Sequence, residues 1–492
     1  MKFILLVISL FLQVPAPAQN SDWAKVHTAT SAAIEDLYNL RYAEAETGCN
    51  TVIKLAPGDP RGYYYKTMLY YTRFSNGGDA ADYTQFLKFS QQVEQVCTRL
   101  LKNNPRDSRA LFYMGGMLGY RSLLHYKAEK HLDAVSDSKK AFSYLEQSLE
   151  ADSNNADARM GLGLFQYLIA QSPAFLKPAL SLAGLSGNRA EGFRNLEAAV
   201  QSAVYSKAEA RAWLASFYQS EENFQRAHIH LNMLTTLYPK NGWFRLQLAQ
   251  LLLNNMRKSN DAIMHAKLIL LNIAEIPPAE RAKIMAEANY ILGAASFFHN
   301  DFATAEDLFK KAVAGNFNAV TVREANLHLG MIEELSGNRA AAIPYYRNAT
   351  GSDEAMKLLR TAMTTGDMAV LKAENLFKAG LYDEAYATAS EFLKNALPES
   401  AKAQLEYTAG RAFFEKGNYT AAESRFLKAV LLKAEGDEWV TPFAYYHMGL
   451  AQAKDGDAAA ARQSFQKALS FKDFENEAYL QRQVKREIAR LK

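Results

Sequence analysis

Ser136, Asp137, Ser138 and Lys139 are the stretch of this chain whose spacing comes nearest to covalent chemistry. A serine and a lysine three positions apart share one helical face, as nucleophile and base do in some acyl-enzyme hydrolases. The Lys-Thr-Gly segment that completes such a site is absent from the sequence, and so short a match arises by chance in a long chain. The histidines suggest no metal centre. His228 and His230 are two apart and point in different directions on a helix, while His125 and His131 miss the i, i+4 geometry of a helical zinc pair. Gly115 to Gly119, GGMLG, looks like a phosphate loop but lacks the Lys-Ser/Thr ending and lies inside a helical pattern. Close helix packing accounts for those glycines better. Carboxylates are plentiful, yet on amphipathic helices they serve mostly as solvated faces or partners of nearby Lys and Arg. The expectation is a non-catalytic protein that needs neither cofactor nor metal.

The elements that carry these residues are helices in pairs. In Asn289 to Val313, two short helical patterns flank the polar turn His299-Asn300-Asp301. Leu292-Gly293 precedes Phe297 and Phe298 in the first, and Phe302, Ala305, Phe309 and Ala312 mark one face of the second. Gly293 is expected to lie against Ala305. Ala305, Ala342, Ala385, Ala422 and Ala461 then recur at intervals of 37, 43, 37 and 39 residues, the widest absorbing an extra segment at about 350–367. Tyr407–Val430 and Tyr446–Leu469 repeat the pattern, with Gly417-Asn418 and Gly456-Asp457 as turns. Earlier pairs, between Gly62 and Ser202, are longer and less regular. The apolar stretch 172–186, twice broken by proline, reads as a short helix packed over the edge of the stack, or as a lid or docking patch for a membrane-associated partner. The last helix, about Glu475 to Leu491, carries a sparse apolar stripe (Ala478, Val484, Ile488, Leu491) and reads as a cap.

The ends and the composition add the compartment. Lys2 precedes an apolar run, Phe3 to Val14, and an A-x-A site follows, which is the pattern of a secretory signal cleaved after Ala18. Its shortness suits a bacterial signal, so the mature chain is expected in the periplasm or outside the cell. No later stretch is apolar for long enough to span a bilayer. Cys49 and Cys97, each eight residues before a proline, occupy matching places on second helices and are expected as two buried thiols, with a disulfide between them as the alternative. Lys and Arg number 56 against 52 Asp and Glu, a balance that gives no support to nucleic-acid binding. The expected divisions are a signal at 1–18, irregular hairpins at 19–205, a regular array at 206–472 and a capping helix at 473–492.

In its anchor residues the chain resembles the tetratricopeptide repeat family, most strongly at 289–313, 326–349, 407–430 and 445–469. The resemblance implies an all-α solenoid of about ten or eleven antiparallel helix hairpins wound into a right-handed superhelix. It also implies a protein or peptide partner on the concave face, lined by the first helix of each pair. Carried onto this sequence, that groove comprises Tyr113, Tyr120, Tyr290, Phe297, Tyr407, Arg411, Phe414 and Tyr446, with inter-repeat packing as the competing role for the aromatics. A small-ligand or carbohydrate receptor using the same aromatic groove is the alternative.

Overall fold

Short polar side chains start the helices. Asp79, Asp107, Asn155, Asn188, Asn241, Asn318, Asn338, Asn418 and Asp457 each precede a helix and accept a backbone N–H of its first turn. Thr364 and Asp367 cap each other reciprocally. Gly380 and Gly456 end helices in the left-handed conformation that a side chain would strain. The computed structural model describes residues 19–491 apart from 176, 183, 316, 433 and 434, and among these every regular element is helical. The expected signal segment lies outside the described residues.

The chain divides into two compact units, Met1–Glu221 with Thr236–Tyr238, and the remainder. The first contains α1 (Gln19–Tyr38), α2 (Tyr42–Leu55), α3 (Arg61–Gly77), α4 (Ala80–Asn103), α5 (Ser108–Lys127), α6 (His131–Ala151), α7 (Ala156–Gln171), α8 (Lys177–Leu182), α9 (Arg189–Ser202) and α10 (Lys207–Ser220). It includes α10, the first helix of the array expected at 206–472. Consecutive helices pack as hairpins, α7 pairing with α9 across the α8 insertion. In that insertion Leu185 is buried and Leu180 half-buried on the core, while Phe175 stays 79% exposed. Gly115 lies against Leu145 and Gly116 against Tyr64 inside the continuous α5, so close packing fixes these glycines. Asp157 accepts the backbone N–H groups of Val204, Tyr205 and Ser206, which holds the α9–α10 loop. Tyr205 in turn accepts from Arg61 at 3.1 Å. Cys49 and Cys97 are free, buried thiols.

The second unit holds most of α11 (Phe224–Leu237), then α12 (Gly242–Asn254), α13 (Ser259–Leu271), α14 (Pro278–Phe298), α15 (Phe302–Gly315), α16 (Ala319–Leu335), α17 (Arg339–Asn348), α18 (Asp353–Arg360), α19 (Thr365–Ala379), α20 (Tyr382–Phe392), α21 (Glu399–Glu415), α22 (Tyr419–Leu431), α23 (Val440–Asp455), α24 (Ala458–Leu469) and α25 (Glu477–Arg490). Its hairpins share one packing device. Gly293, Gly330, Gly410 and Gly449 each receive an aromatic ring of the facing helix, from Phe309, Tyr346, Phe426 and Phe465 respectively. The ring, four residues beyond the marker alanine, is the nearest neighbour of Gly293. In the α19–α20 hairpin Ala373 and Ala389 stand at these two positions, and both are fully buried. A larger residue on one side is matched by a smaller one on the other, which conserves volume.

The extra segment after α17 changes the stacking. α19 packs on α14 and on α21. A buried polar seam fixes that contact: Asn375 donates to the Phe297 carbonyl and to Asn300 Oδ1, both at 3.0 Å, and Asn300 donates to the Lys372 carbonyl at 3.0 Å. Ser259 donates to the Ala379 carbonyl at 2.8 Å alongside. At the far end α25 buries Leu480 and Val484 on Ala461, Phe465 and Ala468, with Ile488 and Leu491 half-buried beside them. Leu480 takes the place that the sequence stripe assigns to Ala478, which is exposed.

Candidate partner-binding site

The helix geometry decides which side chains a hairpin can offer to a partner. In each regular pair, the residue three before the close-packed glycine lies on the same face as that glycine. It must therefore also meet the facing helix. Tyr290, Tyr407 and Tyr446 hold this position, and their ring centroids lie 5.9, 6.0 and 6.0 Å from Phe309, Phe426 and Phe465. Phe297 is 1% exposed, packed on Phe302 and His328. In the first unit Tyr113 and Tyr120 are buried against Tyr64 and Tyr71. Phe414 is half-buried against Tyr419. These aromatics serve mainly as packing within and between hairpins.

The residue that follows this glycine, or Ala373 in its place, faces the other way. Met331, Glu374 and Arg411 hold that position in three hairpins, and all three line one cleft of about 620 Å³. Of the eight residues carried over from the family pattern, Tyr407 and Arg411 border it. The remaining walls come from Glu354, Lys357 and Leu358 of α18, Val370, Leu371 and Lys378 of α19, Gln404 of α21, the Gly436–Trp439 turn, Phe443 of α23, and Glu475 and Asn476. Sequence reasoning missed Met331, Leu371, Glu374 and Trp439. The position after the close-packed glycine could have found Met331, and its equivalent after Ala373 could have found Glu374.

The cleft combines an apolar floor with charged walls. Trp439 meets Tyr407 and Phe443 edge-on at 5.7 and 6.0 Å. The Arg411 guanidinium stacks over Tyr407 and Phe377, at 4.6 and 4.2 Å from the ring centroids, and pairs with Glu374. Burial raises the Glu374 carboxyl, but Arg411, Lys378 and the Thr408 hydroxyl together hold it below the usual carboxylate range. Arg411 is likewise desolvated, yet Glu374 keeps it charged. Asp437 is pushed up by burial and by Asp367, against the opposing pull of Lys357 and hydrogen bonds from Trp439 and Gln404.

Residues 370–430 and 407–476 match the model of the tetratricopeptide repeat family. Residues 370–476 are therefore similar to tetratricopeptide repeats. They supply α19 to α24, and so most of the cleft. Similar solved structures include a tetratricopeptide repeat protein from Parabacteroides merdae, 17% identical, covering 55% of this chain and 96% of its own, with a TM-score of 0.29. Yeast Tom70 is 13% identical, covering 89% of this chain and 98% of its own, with a TM-score of 0.30. The Cut9–Hcn1 hetero-tetramer structure is 15% identical, covering 97% and 90%, with a TM-score of 0.28. No curated relative matches the chain. Among the described residues no helix is long and apolar enough to cross a membrane.

Proposed function

We propose that this protein is a non-catalytic interaction scaffold of the cell envelope, whose cleft between α16, α18, α19, α21 and α23 holds an extended segment of a partner protein. The observation that carries the reading is the cleft itself. At about 620 Å³ it falls within the range of about 300–1,000 Å³ typical of ligand sites, and it pairs aromatic anchors with fixed polar groups. The similarity of 370–476 to tetratricopeptide repeats supports a protein partner rather than a sugar or small metabolite, and the inward-packed tyrosines leave little ring surface for stacking on a sugar. Export rests on the leader-like sequence before residue 19, and the exposed Phe175 beside α8 suits peripheral contact with a membrane complex.

The test compares the full-length protein with Leu371→Asn, which places an amide on the cleft floor, and with Leu427→Asn on the exposed side of α22. Partners retained on the immobilised wild type should be lost with the first variant and kept with the second. Retention by both variants, or loss from both, would overturn the assignment.

A further inference from the structure

The carboxylates at the cleft are not matched by cations of their own. Six line it, against Lys357, Lys378 and Arg411. Arg411 is committed to Glu374, and Lys378 acts on the same carboxylate. Asp367 bonds the Thr364 backbone and hydroxyl, Asp437 accepts from the Gln404 amide at 2.8 Å, and Glu438 accepts from the Gly436 backbone at 3.1 Å. These partners are neutral, so they orient the carboxylates without cancelling their charge. Together with Glu354 and Glu475, these residues come from four separate places in the chain. Among the described residues none of the five lies within ion-pair distance of a cation. The whole chain carries a net charge of +4, so the acidity is a property of this place and not of the surface at large.

Two further features speak for an extended peptide as the occupant. Met331, Val370 and Leu371 give the cleft an apolar side beside these carboxylates, on which a peptide's apolar side chains can pack. Trp439 and Phe443 line the cleft with aromatic rings, a residue type that attracts cations as well as apolar side chains. We infer that the cleft selects a cationic partner segment, with lysine or arginine alternating with apolar residues. The carboxylates would meet its charges, and Met331, Leu371 and Trp439 its apolar side chains. The inference rests on the reading of the cleft as the partner site.

The experiment titrates the full-length protein, by fluorescence anisotropy, into three labelled synthetic dodecapeptides that alternate leucine with lysine, glutamine or glutamate. The lysine peptide should bind about tenfold more tightly than the glutamine peptide at low salt, since each exposed charge pair adds a small increment, and the margin should shrink in high salt. The combined substitution Asp437→Asn and Glu438→Gln should remove most of that margin while leaving the glutamine peptide's affinity unchanged. Leu371→Asn should weaken all peptides that bind. Equal binding of the lysine and glutamate peptides, or a lysine preference that survives the carboxylate substitutions, would overturn the charge selection while leaving the cleft reading intact. No binding by any of the three, with the protein folded, would instead overturn the cleft reading and this inference with it.

Discussion

Replacing Gly410 by alanine tests the packing device on which the regular hairpins depend. A methyl group there would lie 2.5 Å from Cε1 and 2.6 Å from Cδ1 of Phe426, where ordinary contact begins near 3.4 Å. The ring would have to retreat by about 1 Å, and overpacking of this kind costs about 1–3 kcal/mol. It has no free direction, because Phe426 is fully buried between Tyr407 and His447. Alanine returns about 1 kcal/mol of helix propensity, so the net effect of Gly410→Ala should be a loss of about 1 kcal/mol. In a Phe426→Ala background, itself about 3–5 kcal/mol less stable, the obstacle is gone and the same change should gain about 1 kcal/mol. Native-state hydrogen exchange of the α21 and α22 amides reads this locally, without requiring the whole chain to unfold in one step. The sign reversal is the diagnostic. If Gly410→Ala stabilised both backgrounds equally, the glycine would not be there to admit the ring. The α19–α20 hairpin offers the mirror experiment: Ala389→Phe should be tolerated better when combined with Ala373→Gly.

Further outcomes follow from buried polar groups. Burial lowers His328 to about 4 and His447 to about 3 from an ordinary 6.5, offset only in part by the Glu324 and Phe443 carbonyls that their ring N–H groups meet. The unfolded chain takes up those protons first, so stability against urea should fall as pH drops below 6.5, by at most about 1.4 kcal/mol per pH unit for each histidine, and should fall less in His328→Asn. Glu209 behaves oppositely: burial pushes it up to about 8, against a hydrogen bond from Trp213, so its carboxyl favours folding at low pH and loses that contribution as pH rises from 4.5 through 8. Glu209→Gln should therefore raise the melting temperature at pH 9 and leave it almost unchanged at pH 4. Asn375→Ala removes one buried and one half-buried hydrogen bond from α19 to the end of α14 and the turn after it, and should cost about 1–3 kcal/mol in the exchange protection of α19. A thiol reagent should count no reactive cysteine in the folded protein and two in denaturant, because both thiols are buried and Cys49 is pushed up to about 12.

Local pattern carried the helices and their pairing. Gly293, Gly330, Gly410 and Gly449 each stand 12 residues before a marker alanine, and the structure places all four against a facing ring. The same periodicity contains the answer for Tyr290, Tyr407 and Tyr446, since a residue three before such a glycine shares its face and packs inward. Family-level positions assign those rings to a groove, whereas the repeat geometry turns them into the hairpin. The cleft was less legible because it is assembled from residues far apart in sequence. The contact of Asn375 with Phe297 spans the chain from α19 back to α14, and no short-range periodicity reports it. Leu480, set between charged neighbours in α25, becomes a core residue only through what α24 presents to it.

On the proposed reading, a partner's extended segment lies along the cleft floor. A photo-crosslinking amino acid placed at Leu371 in the full-length protein, with a second placed at the exposed Leu427, tests it directly once the adducts are mapped by mass spectrometry. The Leu371 position should join repeatedly to one short basic and apolar stretch of a partner, and the Leu427 position should not. Adducts common to both positions, or none at Leu371 in the presence of a bound partner, would contradict it.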